Sequence, residues 1–332
     1  MEKVLVIGGS GFIGSHLVER LCHDGYKVSV LIRKNSDLGF IKSLGVELRF
    51  GDLLNLSSLK DALVGIDTIF CLVNVKPFGK TLQEYKEELN RVHIDGTKNL
   101  INACKLNGVR RIIYLSSVAA IGYKKGITIY NEFSEANPVD DYGKVKLAAE
   151  NILNQASQNK ELDITILRPP GVFGERGLGV LGKIISFVEK GIIPVIGSGK
   201  NQQSVTYVGN VVNEAIYLAN NPASIGKTYI ASDDKTYSVN ELINVVSQAI
   251  KRKVLKVHIP IVCINCFVSV FNFGSRLFMK KELINPESIV AISSTRIFDG
   301  SRIFKELGYK QEYNLPTAVA RTIEWYRKNK NA

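Results

Sequence analysis

The sequence of 332 residues is poor in the residues that form metal centres and disulfide frameworks. Its 4 histidines show no ligand spacing, and its 5 cysteines form an odd, scattered set that indicates reduced thiols. Cys263 and Cys266 make a single Cys-x-x-Cys pair, and no second pair completes a tetrahedral zinc site. We therefore expect no metal ion in this protein.

Clusters of like charge and long apolar runs are also scarce. The net charge of +12 is dispersed, and neither a long basic run nor a nucleic-acid-binding motif is present, so we expect no nucleic-acid partner. No secretory or transit segment precedes the first apolar run, which favours a cytoplasmic protein.

The most apolar stretch, residues 257–273, is shorter than the roughly 20 apolar residues that a transmembrane helix needs. It is interrupted by His258, Pro260, Asn265 and Asn272, and lysines and arginines flank it. Two interpretations remain open: a helix packed within the fold, or a peripheral membrane contact that rests on anionic lipid.

A glycine-rich motif does stand near the beginning of the sequence. Residues 4–7 (Val-Leu-Val-Ile) predict a strand buried on both faces, and helical spacing of apolar residues begins at Phe12. A strand, a glycine turn and a helix in this order are typical of dinucleotide-binding proteins. The glycines allow a tight turn and close approach of a pyrophosphate, whose oxygens the first N–H groups of the helix bind. The predicted cofactor contacts here are Gly8, Gly11, Phe12, Ile13 and Gly14.

The end of the second predicted strand bears on the choice of cofactor. NAD-selective proteins usually carry an Asp or Glu there, whereas this sequence has Ile32 followed by Arg33 and Lys34. Arg and Lys attract the 2′-phosphate of NADP, so NADP is predicted in preference to NAD, unless both are ordinary loop charges. Asp52, which Leu53 follows, is placed either to accept a hydrogen bond from the adenine or to cap a short helix.

Tyr142 and Lys146 lie four positions apart at the start of a predicted helix, so both occupy one face of it. A tyrosine hydroxyl has an ordinary pKa of about 10, and a nearby ammonium lowers that pKa, which suits acid–base chemistry. Ser117 follows an apolar strand at the sheet edge where parallel sheets bind ligands, and its hydroxyl can donate to a substrate carbonyl. Ser116 is the alternative serine.

Together these motifs resemble the extended short-chain dehydrogenase/reductase family, part of the NAD(P)-dependent epimerase/dehydratase superfamily. Further similar segments cover nearly the whole chain, namely residues 96–100, 167–174, 307–309 and 325–326. The resemblance implies that Ser117, Tyr142 and Lys146 are catalytic, and that the cofactor contacts also include Leu53, Tyr142, Lys146 and Pro169. It implies a homodimer formed through helices at about 81–107 and 141–157.

Several positions depart from the family pattern, among them residues 71–73 and 208–210 and three that bear on the reaction. His93 replaces a helical asparagine, which leaves the proton relay of that asparagine to His93 or a water. Gly171 and Gln203 replace the Asn and Arg that grip a diphosphate in nucleotide-sugar enzymes.

The chain is therefore closest in look to the dihydroflavonol reductase and 3β-hydroxysteroid dehydrogenase branch. That likeness implies hydride transfer between the nicotinamide and a carbonyl or alcohol on an apolar small-molecule substrate, with Tyr142 as general acid or base. A nucleotide-sugar epimerase and a cofactor-binding regulator without catalysis are the alternatives.

The order of predicted elements favours an α/β protein with a Rossmann-type, doubly wound parallel sheet. Strands are expected near residues 3–8, 27–32, 46–50, 67–73, 110–115 and 163–168. A dinucleotide-binding domain is expected over residues 1–170, with a return of the chain near 204–220 that includes a helix. A smaller, mixed α/β substrate-binding domain is expected over 171–332, and a loop over 191–203.

Overall fold

The computed structural model describes residues 2–124, 128–233, 235–264 and 294–330. Its main sheet consists of parallel strands β1 (Lys3–Ile7), β2 (Lys27–Ile32), β3 (Glu47–Phe50), β4 (Thr68–Cys71), β5 (Arg111–Leu115), β7 (Asp163–Arg168) and β12 (Thr228–Ile230). Across the sheet they follow the order β12-β7-β5-β4-β1-β2-β3. The predicted doubly wound parallel sheet is confirmed, and each of the six predicted strands is present in it.

The helices that cover the sheet and extend beyond it are α1 (Phe12–His23), α2 (Leu56–Ala62), α3 (Leu82–Asn90), α4 (Gly96–Asn107), α5 (Asp141–Gln158), α6 (Gly179–Lys190), α7 (Val208–Ala219), α8 (Val239–Ile250), α9 (Ser301–Leu307) and α10 (Leu315–Asn329). A π-helical segment, Arg91–Asp95, joins α3 to α4, and short 3₁₀ turns span Val118–Ala120 and Pro222–Ser224.

The sheet lies between two apolar cores, and these bury its central strands on both faces. One core combines side chains of α2, α4 and α5 with one set of strand residues, and the other combines those of α1, α7 and α9 with the alternate set. All four residues of β4 are buried, as expected for a strand covered by helices on both sides. Because the strands of the main sheet are parallel, their carboxyl-terminal ends all lie at one edge of the sheet.

The second half of the chain returns to the sheet at two places. Helix α7 packs beside α1, and β12 pairs with β7 as an edge strand. The helix that the sequence predicted near residues 210–219 is therefore confirmed. The strand β12 was not predicted, because its three residues are too few to show a pattern.

A third core lies in the second half of the chain and joins α6, α8 and α10. The other strands of the described ranges are short: β6 (Ile129–Tyr130), β8 (Gly171–Phe173), β9 (Ile192–Ile196), β10 (Gln202–Gln203), β11 (Val205–Tyr207), β13 (Tyr237–Ser238), β14 (Leu255–Ile259) and β15 (Ile297–Phe298). They pair in twos, as β10 with β13, β11 with β8, β14 with β9 and β15 with β6.

Two expectations for this half need comment. The loop predicted over residues 191–203 is wrong in part, because Ile192–Ile196 forms β9 in spite of its proline. Of the apolar stretch 257–273, residues 257–264 are described and 265–273 lie outside the described residues. None of the helices in the described ranges combines the length and the apolarity that a bilayer crossing requires.

A carboxyl group is buried where α7 packs on the sheet. Glu214 has no exposed surface, and neither of its oxygens has a hydrogen-bond partner within the described part of the chain. Burial, and to a smaller extent the nearby carboxyl group of Asp233, raises the pKa of Glu214 well above its ordinary value. The folded protein therefore holds Glu214 protonated at a pH where the unfolded chain ionises it.

Replacing Glu214 by glutamine is expected to stabilise the protein, and to stabilise it more as the pH rises. The wild type loses up to about 1.4 kcal/mol per pH unit above the ordinary carboxyl pKa, since only its unfolded chain releases this proton. Glutamine has the same shape and no such proton. Thermal unfolding from pH 5 to pH 8 measures the difference, with Glu87→Gln on the exposed side of α3 as control. Parallel curves for wild type and Glu214→Gln would contradict the assignment.

Candidate active site

The glycine motif forms a tight turn between β1 and α1. Gly8 adopts a φ of +85°, and a Cβ on it would lie 2.8 Å from the carbonyl oxygen of Leu72. A Cβ on Gly14 would lie 2.1 Å from the carbonyl oxygen of Gly8, so only glycine allows α1 to approach the strand this closely. Gly11 N–H donates to the Gly8 carbonyl at 3.0 Å, which closes the turn.

The first turn of α1 is open to an anion. The helix begins at Phe12, its N-cap residue is Gly11, and no side chain caps it. The N–H groups at Phe12 and Ile13 therefore point out of the helix, where the helix dipole also favours negative charge. The cradle that larger residues would fill and the uncapped N-terminus fit the pyrophosphate of a dinucleotide.

The adenosine end of this cradle would lie at the ends of β2 and β3. Arg33 and Lys34 directly follow β2 with exposed side chains, at the same sheet edge as the glycine turn. Asn55, and not Asp52, caps α2. Asp52 Oδ1 instead accepts the Leu54 N–H at 2.9 Å, and Leu53 is buried under the turn. The helix-cap interpretation of Asp52 is therefore wrong. Its second carboxylate oxygen is available to accept a hydrogen bond from an adenine amino group.

Helix α5 is held in place by contacts at its N-terminus and near its middle. Asp140 caps its N-terminus by accepting the Gly143 N–H at 2.7 Å. A Cβ on Gly143 would lie 2.3 Å from the carbonyl oxygen of Ala119, so glycine brings the helix against the 3₁₀ turn after β5. Two turns further on, Glu150 accepts from the Arg168 guanidinium at 3.0 Å, and both side chains are buried. Tyr142 and Lys146 lie between these contacts.

The structure brings Ser117 and Tyr142 together. The Ser117 hydroxyl is near enough to Tyr142 to lower the pKa of that tyrosine. Ser117 Oγ accepts the Ala119 N–H at 3.1 Å. Ser116 is buried beneath, and its hydroxyl has no partner among the described residues. Of the two serines, only Ser117 is placed to act with Tyr142. Pro169 is buried behind it and accepts the Val118 N–H at 3.1 Å.

Lys146 is buried directly below the tyrosine, with 1% of its surface exposed. Its ammonium donates to the carbonyl oxygens of Leu115 at 3.1 Å and Val73 at 3.4 Å, and it lies 5.2 Å from the ring centre of Tyr114. Burial lowers the pKa of Lys146 to about 8. The carbonyls at the ends of the strands thus hold the charged form in place.

The sequence predicted that Lys146 lowers the pKa of Tyr142. In the protein without its cofactor, Lys146 has no such effect. Burial raises the pKa of Tyr142 to about 12, and the nearby Ser117 hydroxyl offsets only part of that rise. The Lys146 ammonium lies 5.8 Å from the ring centre of Tyr142 and is engaged by backbone carbonyls. Tyr142 is therefore protonated at neutral pH, as a proton donor to a carbonyl must be.

His93 lies in the π-helical segment, next to the same tyrosine. It is fully buried, its ring centre is 6.3 Å from that of Tyr142, and neither ring nitrogen has a hydrogen-bond partner in the described ranges. Burial, and then the charge of Lys146, lowers the pKa of His93 to about 2. The imidazole is therefore neutral, with one donor and one acceptor nitrogen beside the site. Single-turn π insertions are frequent at functional sites.

A cation that sequence reasoning missed, Arg296, lies beside Gln203. Gln203 donates to the Ser294 carbonyl at 2.8 Å, and a bridge pairs it with Arg296. The Arg296 guanidinium lies 5.0 Å from the ring centre of Tyr123, and burial lowers the pKa of Arg296. Gly171 lies on β8, which pairs with β11. Residues 123 and 296 are too far apart in the sequence for any local pattern to have joined them.

With this geometry in hand, the chain can be compared with known proteins. The model of the NAD dependent epimerase/dehydratase family matches residues 4–232, which is more than half of the chain. The chain belongs to this family.

Two relatives by sequence and one solved structure illustrate the range of the family. The N-acetyl-alpha-D-glucosaminyl-diphospho-ditrans,octacis-undecaprenol 4-epimerase of Escherichia coli O157:H7 is 28% identical over 98% of this chain and 95% of its own. The decarboxylating sterol-4-alpha-carboxylate 3-dehydrogenase of Bos taurus is 32% identical over 78% of this chain and 73% of its own. The structure of gox2253 is 25% identical, with a TM-score of 0.83, over 99% of this chain and 98% of that one.

These likenesses confirm the extended short-chain dehydrogenase/reductase type that the sequence indicated. They also support enzymatic activity, since the relatives include both a dehydrogenase and an epimerase. The choice between these two reactions, and the preference between NAD and NADP, are finer questions than the family answers.

Replacing Tyr142 by phenylalanine is expected to lower turnover on the order of 10²-fold or more, while cofactor binding persists. The substitution removes the hydroxyl proton of this partly buried tyrosine and keeps the ring that packs in the site. Turnover with a carbonyl substrate and cofactor titration by fluorescence measure the two effects. Tyr26→Phe, at the opposite edge of the sheet, is the control for loss of a hydroxyl. Near-normal turnover of Tyr142→Phe would remove this residue from the mechanism.

Proposed function

We propose that the protein is an NAD(P)-dependent oxidoreductase that interconverts a ketone and a secondary alcohol on a substrate with a large apolar part. The observation that carries the proposal is the meeting of Ser117, Tyr142 and Lys146 at the sheet edge that also holds the open glycine cradle. A bound nicotinamide cofactor supplies the hydride chemistry there, and the chain supplies the protons and the positioning.

The roles of the three residues follow from their surroundings. The Tyr142 hydroxyl gives its proton to the carbonyl oxygen in reduction and takes it back in oxidation. The Ser117 hydroxyl hydrogen-bonds the same oxygen and holds it near Tyr142. Lys146 keeps its ammonium between the strand ends, where a positive charge stabilises a developing phenolate. Neutral His93, whose ring packs against that of Tyr142, orients a hydrogen-bonding group behind the tyrosine in this proposal.

The apolar character of the substrate is supported by two similar proteins. The names of the bovine dehydrogenase and the bacterial epimerase both specify substrates on lipids, a sterol in one and an undecaprenol in the other. Gly171 and Gln203 offer no charge at two positions where nucleotide-sugar enzymes grip a diphosphate. A lipid-borne alcohol is therefore the substrate class that both the site residues and the relatives favour.

One observation favours a second candidate, an epimerase of a lipid-linked sugar. Arg296 lies beside Gln203, so a partly buried guanidinium is present close to the position that lacks the expected arginine. Guanidinium groups bind diphosphates through paired, charge-assisted hydrogen bonds. In that reaction the cofactor would be regenerated in each cycle, with no net consumption.

For the cofactor we propose NADP in preference to NAD, and for the assembly a homodimer through the helices of residues 82–107 and α5. The cofactor preference rests on the exposed cations Arg33 and Lys34 and on the absence of a carboxylate at the end of β2. Both cations are within the short loop that follows the strand, where a 2′-phosphate would lie.

Replacing Arg33 by alanine is expected to weaken NADPH binding by 10- to 100-fold and to leave NADH binding nearly unchanged. A charge-assisted hydrogen bond to a phosphate contributes about 1.5–3 kcal/mol, and NADH has no 2′-phosphate. Fluorescence titrations of both cofactors measure this. Lys42→Ala, another exposed cation nearby in the sequence, is the control. An equal loss for both cofactors, or a wild-type preference for NADH, would overturn the assignment.

Two tests distinguish the reductase from the epimerase: stabilisation by candidate substrates, and the effect of replacing Arg296. With NADP present, an apolar ketone or alcohol is expected to raise the melting temperature, because a ligand that binds only the folded state stabilises it. UDP and UDP-sugars are expected to leave the melting temperature unchanged.

Arg296→Gln should change ketone turnover by less than about threefold. If Arg296 bound a diphosphate, the same substitution would lower turnover of a diphosphate-linked sugar by about 10- to 100-fold. Interconversion of a sugar diphosphate without net cofactor consumption would favour the epimerase, and no turnover of any substrate would favour a regulator.

A further inference from the structure

Strands β9 and β14 form a small parallel sheet whose outer face is apolar. Their register pairs Leu255 with Ile192 and Val257 with Pro194, so these four side chains share one face. All four are exposed, and Leu255 keeps 64% of its surface in contact with solvent. We call this surface the β9–β14 face.

The inner face of the same sheet fixes this orientation. Ile193 and Val195 alternate with the exposed residues of β9 and are 4% and 1% exposed. They pack on Ile243 of α8 and on partly buried side chains of α6. A sheet with one packed face usually shows polar residues to water on the other. The outer face of this sheet departs from that pattern, since its aliphatic side chains are exposed among the described residues.

The apolar surface continues past β14. Ile261 and Val262 follow in the next turn, and Val262 is 71% exposed. Exposed apolar residues that stand singly are ordinary, but a contiguous patch of this kind marks an interaction site. Along residues 192–196 and 255–262 the exposed surface is thus mostly aliphatic.

The surroundings of the face carry positive charge. Residues 251–264 include three lysines and one arginine and contain no aspartate or glutamate. Lys251, Arg252 and Lys253 are exposed at the start of β14, and Lys190 is exposed where α6 leads into β9. Aliphatic side chains bordered by basic ones match the boundary between the acyl chains and the phosphates of an anionic bilayer.

We propose that the β9–β14 face rests on the surface of an anionic phospholipid bilayer. The aliphatic side chains enter the headgroup boundary, and the basic residues at the start of β14 bind lipid phosphates. A bilayer suits this face better than a protein partner, because the exposed strand residues offer few side-chain groups for directional hydrogen bonds. The proposal goes beyond the reaction proposed above and does not depend on which substrate is turned over.

The test uses the full-length protein and vesicles that contain no substrate. Flotation with vesicles of phosphatidylcholine and phosphatidylglycerol is expected to carry the protein to the top of the gradient, more strongly than pure phosphatidylcholine. Added salt should weaken this binding, because exposed charges are screened. No flotation with either vesicle, or equal flotation with both, would overturn the proposal.

Two pairs of substitutions locate the contact. Lys251→Gln with Lys253→Gln should lower the partition coefficient by about 30-fold, since each basic residue near an anionic surface contributes roughly fivefold. Leu255→Thr with Val257→Thr should lower it by about tenfold on both kinds of vesicle. The matched controls are Lys42→Gln with Lys60→Gln, and Leu48→Thr with Val64→Thr, which change exposed residues elsewhere.

Cofactor binding and the melting temperature of every variant establish that it is folded. Loss of vesicle binding in the Lys251/Lys253 and Leu255/Val257 double variants, but not in the control variants, supports the proposal. Equal loss in the control pairs, or undiminished binding of the β14 pairs, places the membrane contact elsewhere and refutes it. Because no outcome involves turnover, failure of this proposal and failure of the proposed function are read out separately.

Discussion

The placement of the site depends on the buried ion pair between Glu150 and Arg168. It ties α5 to the end of β7, and two helical turns earlier the same helix presents Tyr142 to Ser117. Loss of one partner of such a buried pair costs about 3–5 kcal/mol, since the other charge is left without compensation. The close contact of Gly143 with Ala119 then sets the second point, and two fixed points define where the helix lies.

Burial governs the electrostatics of this site more than proximity of charge does. Tyr142, Lys146 and His93 each have their pKa displaced towards the neutral form, and burial is the largest cause in each case. Such a site, in which Lys146 carries the positive charge between neutral Tyr142 and His93, responds strongly to any charge that a ligand brings. This behaviour suits a reaction in which an uncharged carbonyl becomes an alcohol.

The sequence predicted the parts of the molecule that depend on local pattern. The strands of the main sheet, the glycine turn and the helix of Tyr142 follow from apolar spacing and from residues with special backbone freedom. The arrangement of Arg296 beside Gln203, and the burial that raises the pKa of Tyr142, depend on residues far apart in the chain. The strand β9 was missed because Pro194 suggests a loop, yet it lies in a strand that pairs with a single neighbour.

The π-helical segment around His93 has a consequence for the helix that contains it. One additional residue in a helical turn rotates everything beyond it by about 100° around the axis. Before the segment, Leu89 packs with Val145 in the small cluster at Tyr142; after it, Leu100 and Cys104 pack in the main core of the sheet. The apolar side chains of α3 and of α4 therefore face two different surfaces, although residues 82–107 form one continuous helical segment. His93 lies at the turn where the direction of the apolar face changes.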